Sequence, residues 1–202
     1  IMVVTGGVWA AFQRHLGRMM GYASIVSTGL IILAMSLSTN TSVQIAFLLL
    51  ISRGLELAVW SLGISTIKMQ ADTLRFSTVQ GLVRSYPFAV TALLLAHLSM
   101  MGFPLLAGFP PRLALWEEIA RSSLSEAFWV LIGFLGLLIG AIRTMAVLVM
   151  APEGTKWKWN ESWAQAIMLG IGMIGLLVIG LFPQVMQPFL SSLPVMFEHI
   201  GQ

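Results

Sequence analysis

The chain has 202 residues, of which 57% are hydrophobic and 9% charged, and its formal net charge is +3. A soluble domain carries about 25% charged residues, so the composition argues against a water-exposed globule, a disordered chain or a nucleic-acid binder, and the mean hydropathy of +0.89 points the same way. The absence of cysteine removes disulfides, thiolate metal sites, Cys-ligated iron–sulfur clusters and Cys nucleophiles.

Residues 1–12 are apolar, carry no positive n-region and give no signal-peptide pattern. They read as the middle of a helix, as expected of a fragment or one half of a longer protein. As a helix they cover about 18 Å, a short first pass. The turn QRHLGR follows. A second pass is expected over 19–37, ending at the polar cluster STNTS, and a third over 43–67, with Arg53 and Glu56 inside it. A charged connection holds Lys68, Asp72, Arg75 and Arg84. Residues 87–101 are too short to cross comfortably. They run into GFPLLAGFPP, where Gly102, Pro104, Gly108, Pro110 and Pro111 must break the helix, because proline lacks a donor N–H and clashes with the preceding turn. Such a break at membrane depth is tolerated only inside protein or beside a wet cavity. Residues 87–120 are therefore read as one discontinuous crossing. A fifth pass is expected over 126–150, with Arg143 inside it, and a sixth over 163–182. The fold class is an all-α polytopic transmembrane bundle of about six passes over 1–182. An amphipathic tail over 183–202 is expected to lie at the interface.

With 87–120 as one crossing, Arg14, Arg18, Lys68, Arg75, Arg84, Lys156 and Lys158 fall on one side and Arg121 alone on the other. The positive-inside rule then puts loops 13–18, 68–86 and 151–162 on the cytoplasmic or matrix side of a bacterial plasma membrane or an organellar inner membrane. Trp157, Trp159 and Trp163 fit an interfacial belt.

The residues that invite chemistry are ionisable groups in apolar helices. Each costs roughly 2.5–3.5 kcal/mol to insert, so Arg53, Glu56, His97, Arg112 and Arg143 need partners, a wet cavity or both, and form a candidate proton path. Arg53 and Glu56 are three apart and share a helical face, which reads as a charge pair in a relay or as a static pair that locks packing. His97, a turn before the break, carries an imidazole whose unperturbed pKa of about 6.5 suits proton transfer. Its alternative is a neutral ring bonded to a backbone carbonyl. Arg112 stays protonated, so it can order water or tune a neighbour but cannot carry the proton. Glu117 and Glu118 stand at a channel mouth or at the membrane edge. Arg143 is near the end of its pass, where snorkelling competes with relay work. No phosphate loop, HExxH, GxSxG or paired-His metal spacing is present, so no cofactor or metal site is expected in this chain.

Two stretches carry a resemblance. QRHLGRMMGYASIVSTG and GLVRSYPFAVTALLLAHLSMMGFPLLAGFPPR resemble signatures of the antiporter-like membrane subunits of proton-pumping NADH:quinone oxidoreductase (complex I), a family shared with Mrp-type cation/proton antiporters and membrane-bound hydrogenases. The resemblance runs from about residue 5 to 185 and corresponds to the second half of a fourteen-helix subunit. It implies inverted five-helix repeats, each with a broken helix. It also implies lipid and further membrane and peripheral subunits as partners, with FMN, iron–sulfur clusters and quinone held by those partners. In the family a Lys or Glu follows the AGF element on the proton path, and Arg112 stands at that position here. Arg53 is the nearest counterpart of a His or Lys on the preceding helix. The Lys of the family's Lys-Arg turn is Gly17, while Arg18 is kept. Arginine in place of a titratable lysine leaves Glu56 and His97 as the titratable candidates and keeps a structural role with an inactive half-channel open.

Overall fold

The structure, a computed structural model, describes residues 1–69, 71–151 and 157–186. Among them are seven helices: α1 (Met2–Phe12), α2 (Leu16–Ser36), α3 (Asn40–Lys68), α4 (Pro87–Met100), α5 (Phe109–Ser122), α6 (Leu124–Val149) and α7 (Trp163–Leu181). Short 3-10 turns occupy Leu82–Arg84 and Pro183–Met186. The expected tail over 183–202 is described only for that last turn, and the rest of it and Lys156 lie outside the described residues.

Four helices are long and apolar enough to cross a membrane, over Leu16–Ser36, Thr41–Lys68, Leu124–Val149 and Trp163–Leu181, while Met2–Phe12 and Pro87–Met100 are shorter. At 14 residues, α4 reaches about 21 Å, short of a hydrocarbon core of about 30 Å. The chain breaks after Met100 and resumes at Phe109, as the Gly/Pro pattern predicts.

α2, α3 and α6 start two or three residues earlier than hydropathy alone suggests, α4 and α7 start where expected, and polar caps mark most of these starts. The His15 ring accepts from Arg18 N–H at 3.4 Å and starts α2. Thr39 and Ser42 form a capping box at α3, and Ser123 caps α6. Ser162 and Gln165 form a capping box at α7, with the Ser162 hydroxyl accepting from Gln165 N–H at 3.3 Å and the Gln165 side chain accepting from Ser162 N–H at 3.1 Å. Ser162→Ala is expected to cost about 1 kcal/mol, read as faster amide exchange at Gln165 with α6 unchanged. Unchanged exchange at Gln165 would remove the cap from the account.

Small residues set the packing. α1 runs parallel to α6, with Gly7 against the backbone of Gly133 and Gly136 against the backbone of Gly7. α1 meets α2 antiparallel through Gly6 and Gly29. Interhelical approach of this kind in a bilayer rests on dispersion rather than on a hydrophobic drive. α3 lies antiparallel to α4, where Gly63 meets Ala89 and Leu93, and to α7, where Gly172 meets Val59. At one end of the bundle the connections are stitched together: Leu16 N–H donates to the Leu74 carbonyl, Phe76 N–H to Arg14, Gly81 N–H to Val147 and Lys158 N–H to Arg84. The segments carrying Arg14, Arg18, Arg75, Arg84 and Lys158 thus share one end, as a single net crossing over 87–120 requires.

Candidate functional site at the helix break

α4 ends in a Schellman motif. Gly102, at φ +82°, donates to the Ser99 carbonyl at 2.9 Å, and Phe103 N–H donates to Leu98 at 2.9 Å. That geometry needs a left-handed residue, which glycine supplies without a Cβ clash, and proline commonly follows it; Pro104 does. Pro110 and Pro111 sit in the first turn of α5, where the missing N–H groups would have no intrahelical acceptor.

Two α3 serine and glutamate positions meet this break. The Ser52 hydroxyl donates to the Ala107 carbonyl at 2.9 Å. One turn further along α3, Glu56 is fully buried and paired with Arg112. Arg112 Nη1 donates to Oε1 at 3.0 Å and Nη2 to Oε2 at 3.1 Å, a bidentate arrangement that fixes both planes. Ser99 Oγ donates to the same Oε1 at 2.8 Å and accepts from Gly108 N–H at 3.0 Å. Arg112 Nη1 also donates to the Gly108 carbonyl at 3.0 Å. A Cβ at Gly108 would collide with Arg112, Ser99 and Glu56 together, so only glycine leaves room for the cluster.

This arrangement corrects the expected Arg53–Glu56 pair. Among the described residues the ion pair of Glu56 is with Arg112. Glu56 lies on the fully buried line of α3 with Ser52, Val59 and Trp60, whereas Arg53 is rotated to a half-buried flank, and its buried Nε has no acceptor among the described residues.

His97 is completely buried on α4, one layer from the cluster. Its ring lies 4.7 Å from that of Trp60, and its Cε1 is close to Gly140 of α6. The Leu137 backbone lies toward the ring, but among the described residues neither ring nitrogen, nor Trp60 Nε1, reaches hydrogen-bond geometry with a protein group. Arg143 stands apart. It donates to the Ala11 carbonyl in the last turn of α1 and sits 5.9 Å from the Phe76 ring centre, so it caps α1 with a charge favoured at a helix C-terminus. Glu117 is exposed and Glu118 half-buried on α5, and neither forms an ion pair among the described residues. No group of three His, Asp or Glu able to hold a metal ion occurs among the described residues.

Sequence reasoning missed Ser52 and Ser99, whose only signal was small polar residues near the charges along the helices, and it read Gly108 as part of the helix break but not of the cluster. It also missed Glu161, which is 6% exposed in the α6–α7 loop and binds the start of α4.

A bundle of apolar helices, one of them broken around a buried, hydrogen-bonded ion pair, defines a polytopic helical membrane protein. The family match fits that class: residues 1–140 match the family described as "NADH:quinone oxidoreductase/Mrp antiporter, TM", and the chain belongs to it. NADH-quinone oxidoreductase subunit 14 of Thermus thermophilus is 31% identical over 206 residues, covering 95% of this chain and 44% of that protein. The chain thus spans less than half the length of this curated relative. The fold is shared with a chain of respiratory complex I from Thermus thermophilus (TM-score 0.80, 21% identity, 90% of this chain and 39% of that one). It is also shared with a chain of the Mrp complex from Dietzia (TM-score 0.82, 14% identity, 91% of this chain and 43% of that one).

Proposed function

We propose that this chain is part of a membrane subunit of a complex I-type NADH:quinone oxidoreductase and contributes a segment of its proton path. The observation that carries this reading is the Glu56–Arg112–Ser99 cluster closing the helix break one layer from a buried histidine. A charged pair at that depth is costly and marks an ion pathway by default. The division of labour follows from chemistry. Arg112 remains protonated and holds Glu56 as a fixed counter-charge. His97 is the group able to take and release a proton, and water is the natural partner for its two nitrogens and for Trp60 Nε1, since buried polar atoms seek partners.

Redox chemistry belongs to partner subunits holding FMN, iron–sulfur clusters and quinone, and this chain carries no redox step. The basic loops 13–18, 68–86 and 151–162 face the cytoplasm or matrix, by the excess of Arg and Lys at that end. A second reading, an antiporter-like subunit whose half-channel is locked, is favoured by one observation: both Glu56 oxygens are held by a residue that does not titrate.

His97→Ala in the full-length protein within its assembled complex tests the reading. Protons moved per quinone reduced are expected to fall with quinone reduction retained. An unchanged proton yield would remove His97 from the path and favour the locked half-channel.

A further inference from the structure

We propose that Glu161 is a positioning residue, which fastens α4 from the α6–α7 loop and so sets where His97 and Ser99 stand against α3. This inference rests on the proton-path reading of His97. α4 opens on Pro87, which has no N–H, so Phe88 and Ala89 supply the first backbone donors of the helix. The residue at the usual capping position, Tyr86, makes no side-chain cap. The Glu161 carboxylate takes both donors instead, Oε2 from Phe88 N–H at 3.1 Å and Oε1 from Ala89 N–H at 2.7 Å. It does so from more than seventy residues away and while almost fully buried. Charge-assisted bonds of this kind are roughly twice as strong as neutral ones, and an anion at a helix N-terminus gains further from the helix dipole.

The loop is itself anchored. Lys158 N–H donates to the Arg84 carbonyl at 3.0 Å and Asn160 N–H to Ser85 at 3.1 Å. Trp159 Nε1 donates to the Glu161 carbonyl at 2.9 Å, and its ring lies 5.5 Å from that of Phe88. α7 starts at Trp163, two residues beyond the carboxylate. Residues 158–161, the first turn of α4 and the start of α7 are therefore tied to one another. A helix transmits axial displacement along its length, because packed elements shift as units. An axial slip of α4 would stretch and misalign the 2.8 Å Ser99–Glu56 bond, whose strength depends on distance and angle, and would slide His97 along Trp60. The carboxylate thus couples a loop at the basic end to the cluster at the break.

The test uses the full-length protein in its assembled complex, with Glu161→Ala, Glu161→Gln and Glu161→Asp beside His97→Ala. Four quantities are read: amide exchange at Phe88 and Ala89, subunit content, quinone-reduction rate and protons moved per quinone. Glu161→Ala is expected to speed exchange at both amides about ten-fold and to lower the proton yield, with subunit content and quinone reduction kept. Glu161→Gln, which keeps the shape but loses the charge, should lower the yield less, and Glu161→Asp should restore part of it. If Glu161→Ala does not assemble, the Gln and Asp variants carry the same comparison. A wild-type proton yield in the Glu161 variants, with a lowered yield in His97→Ala, overturns the positioning role and leaves the proton-path reading standing. A wild-type yield in His97→Ala overturns the reading itself. Proton yield that falls only in step with subunit content or quinone reduction marks Glu161 as a structural brace and overturns the proposal.

Discussion

Arg112→Met is expected to destabilise the protein by about 3–5 kcal/mol, because it strands a buried carboxylate. Glu56 would keep only the Ser99 hydroxyl, at 2.8 Å, in a fully buried position. The measurement is unfolding of the purified protein in detergent or bicelles. Glu56→Gln should cost a similar amount, since it strands the guanidinium instead. The double variant Glu56→Leu/Arg112→Met should recover most of either loss, because a buried pair is often no more stable than apolar residues of similar volume. Single variants with wild-type stability would mean that the pair is solvated and that the cluster is wrongly described. Proton yield separates the functional readings in the same proteins. Wild-type pumping in a folded Arg112→Ala variant would favour the locked half-channel over the proton path.

Gly136→Val should be among the most damaging substitutions away from the cluster. A side chain there meets the Gly7 backbone, which cannot swing aside, so α1 must leave α6. Overpacking costs typically 1–3 kcal/mol when side chains can shift, and a backbone collision belongs at the top of that range, at about 3 kcal/mol. Gly170 of α7 provides the control, because a Cβ there meets nothing within 4 Å. Gly170→Ala is expected to be neutral or to stabilise by up to about 1 kcal/mol through helix propensity. Comparable losses at both positions would mean that glycine content, not the α1–α6 contact, sets stability.

The helices and the break were legible in the residues themselves. Long uncharged runs have few structural outcomes in a membrane, and the Gly102–Pro111 pattern has fewer still. The caps at Ser123 and Ser162 were also visible in principle, since each lies three residues before Glu or Gln, a spacing that marks a helix start. The site was legible only as a set of residue types. Helical spacing relates a residue to its own helix, so it joined Glu56 to Arg53. It had no access to the tertiary fact that the chain returns after the break and brings Arg112 under Glu56, 56 residues away. Arg143 was read as a path or snorkelling residue for the same reason, since its acceptor on Ala11 is 132 residues distant. Glu161 drew no reading from the sequence. Only the docking of that loop on α4 gives its carboxylate two amides to bind.

The central claim is that this chain works in a quinone-reducing, proton-moving assembly, and the composition of its native complex tests that most directly. Affinity purification of the full-length protein from its own membranes, followed by identification of the accompanying chains, should yield peripheral flavin and iron–sulfur subunits in stoichiometric amounts. Recovery with cation/proton antiporter subunits alone, with sodium-dependent proton flux and no quinone reduction, would contradict it.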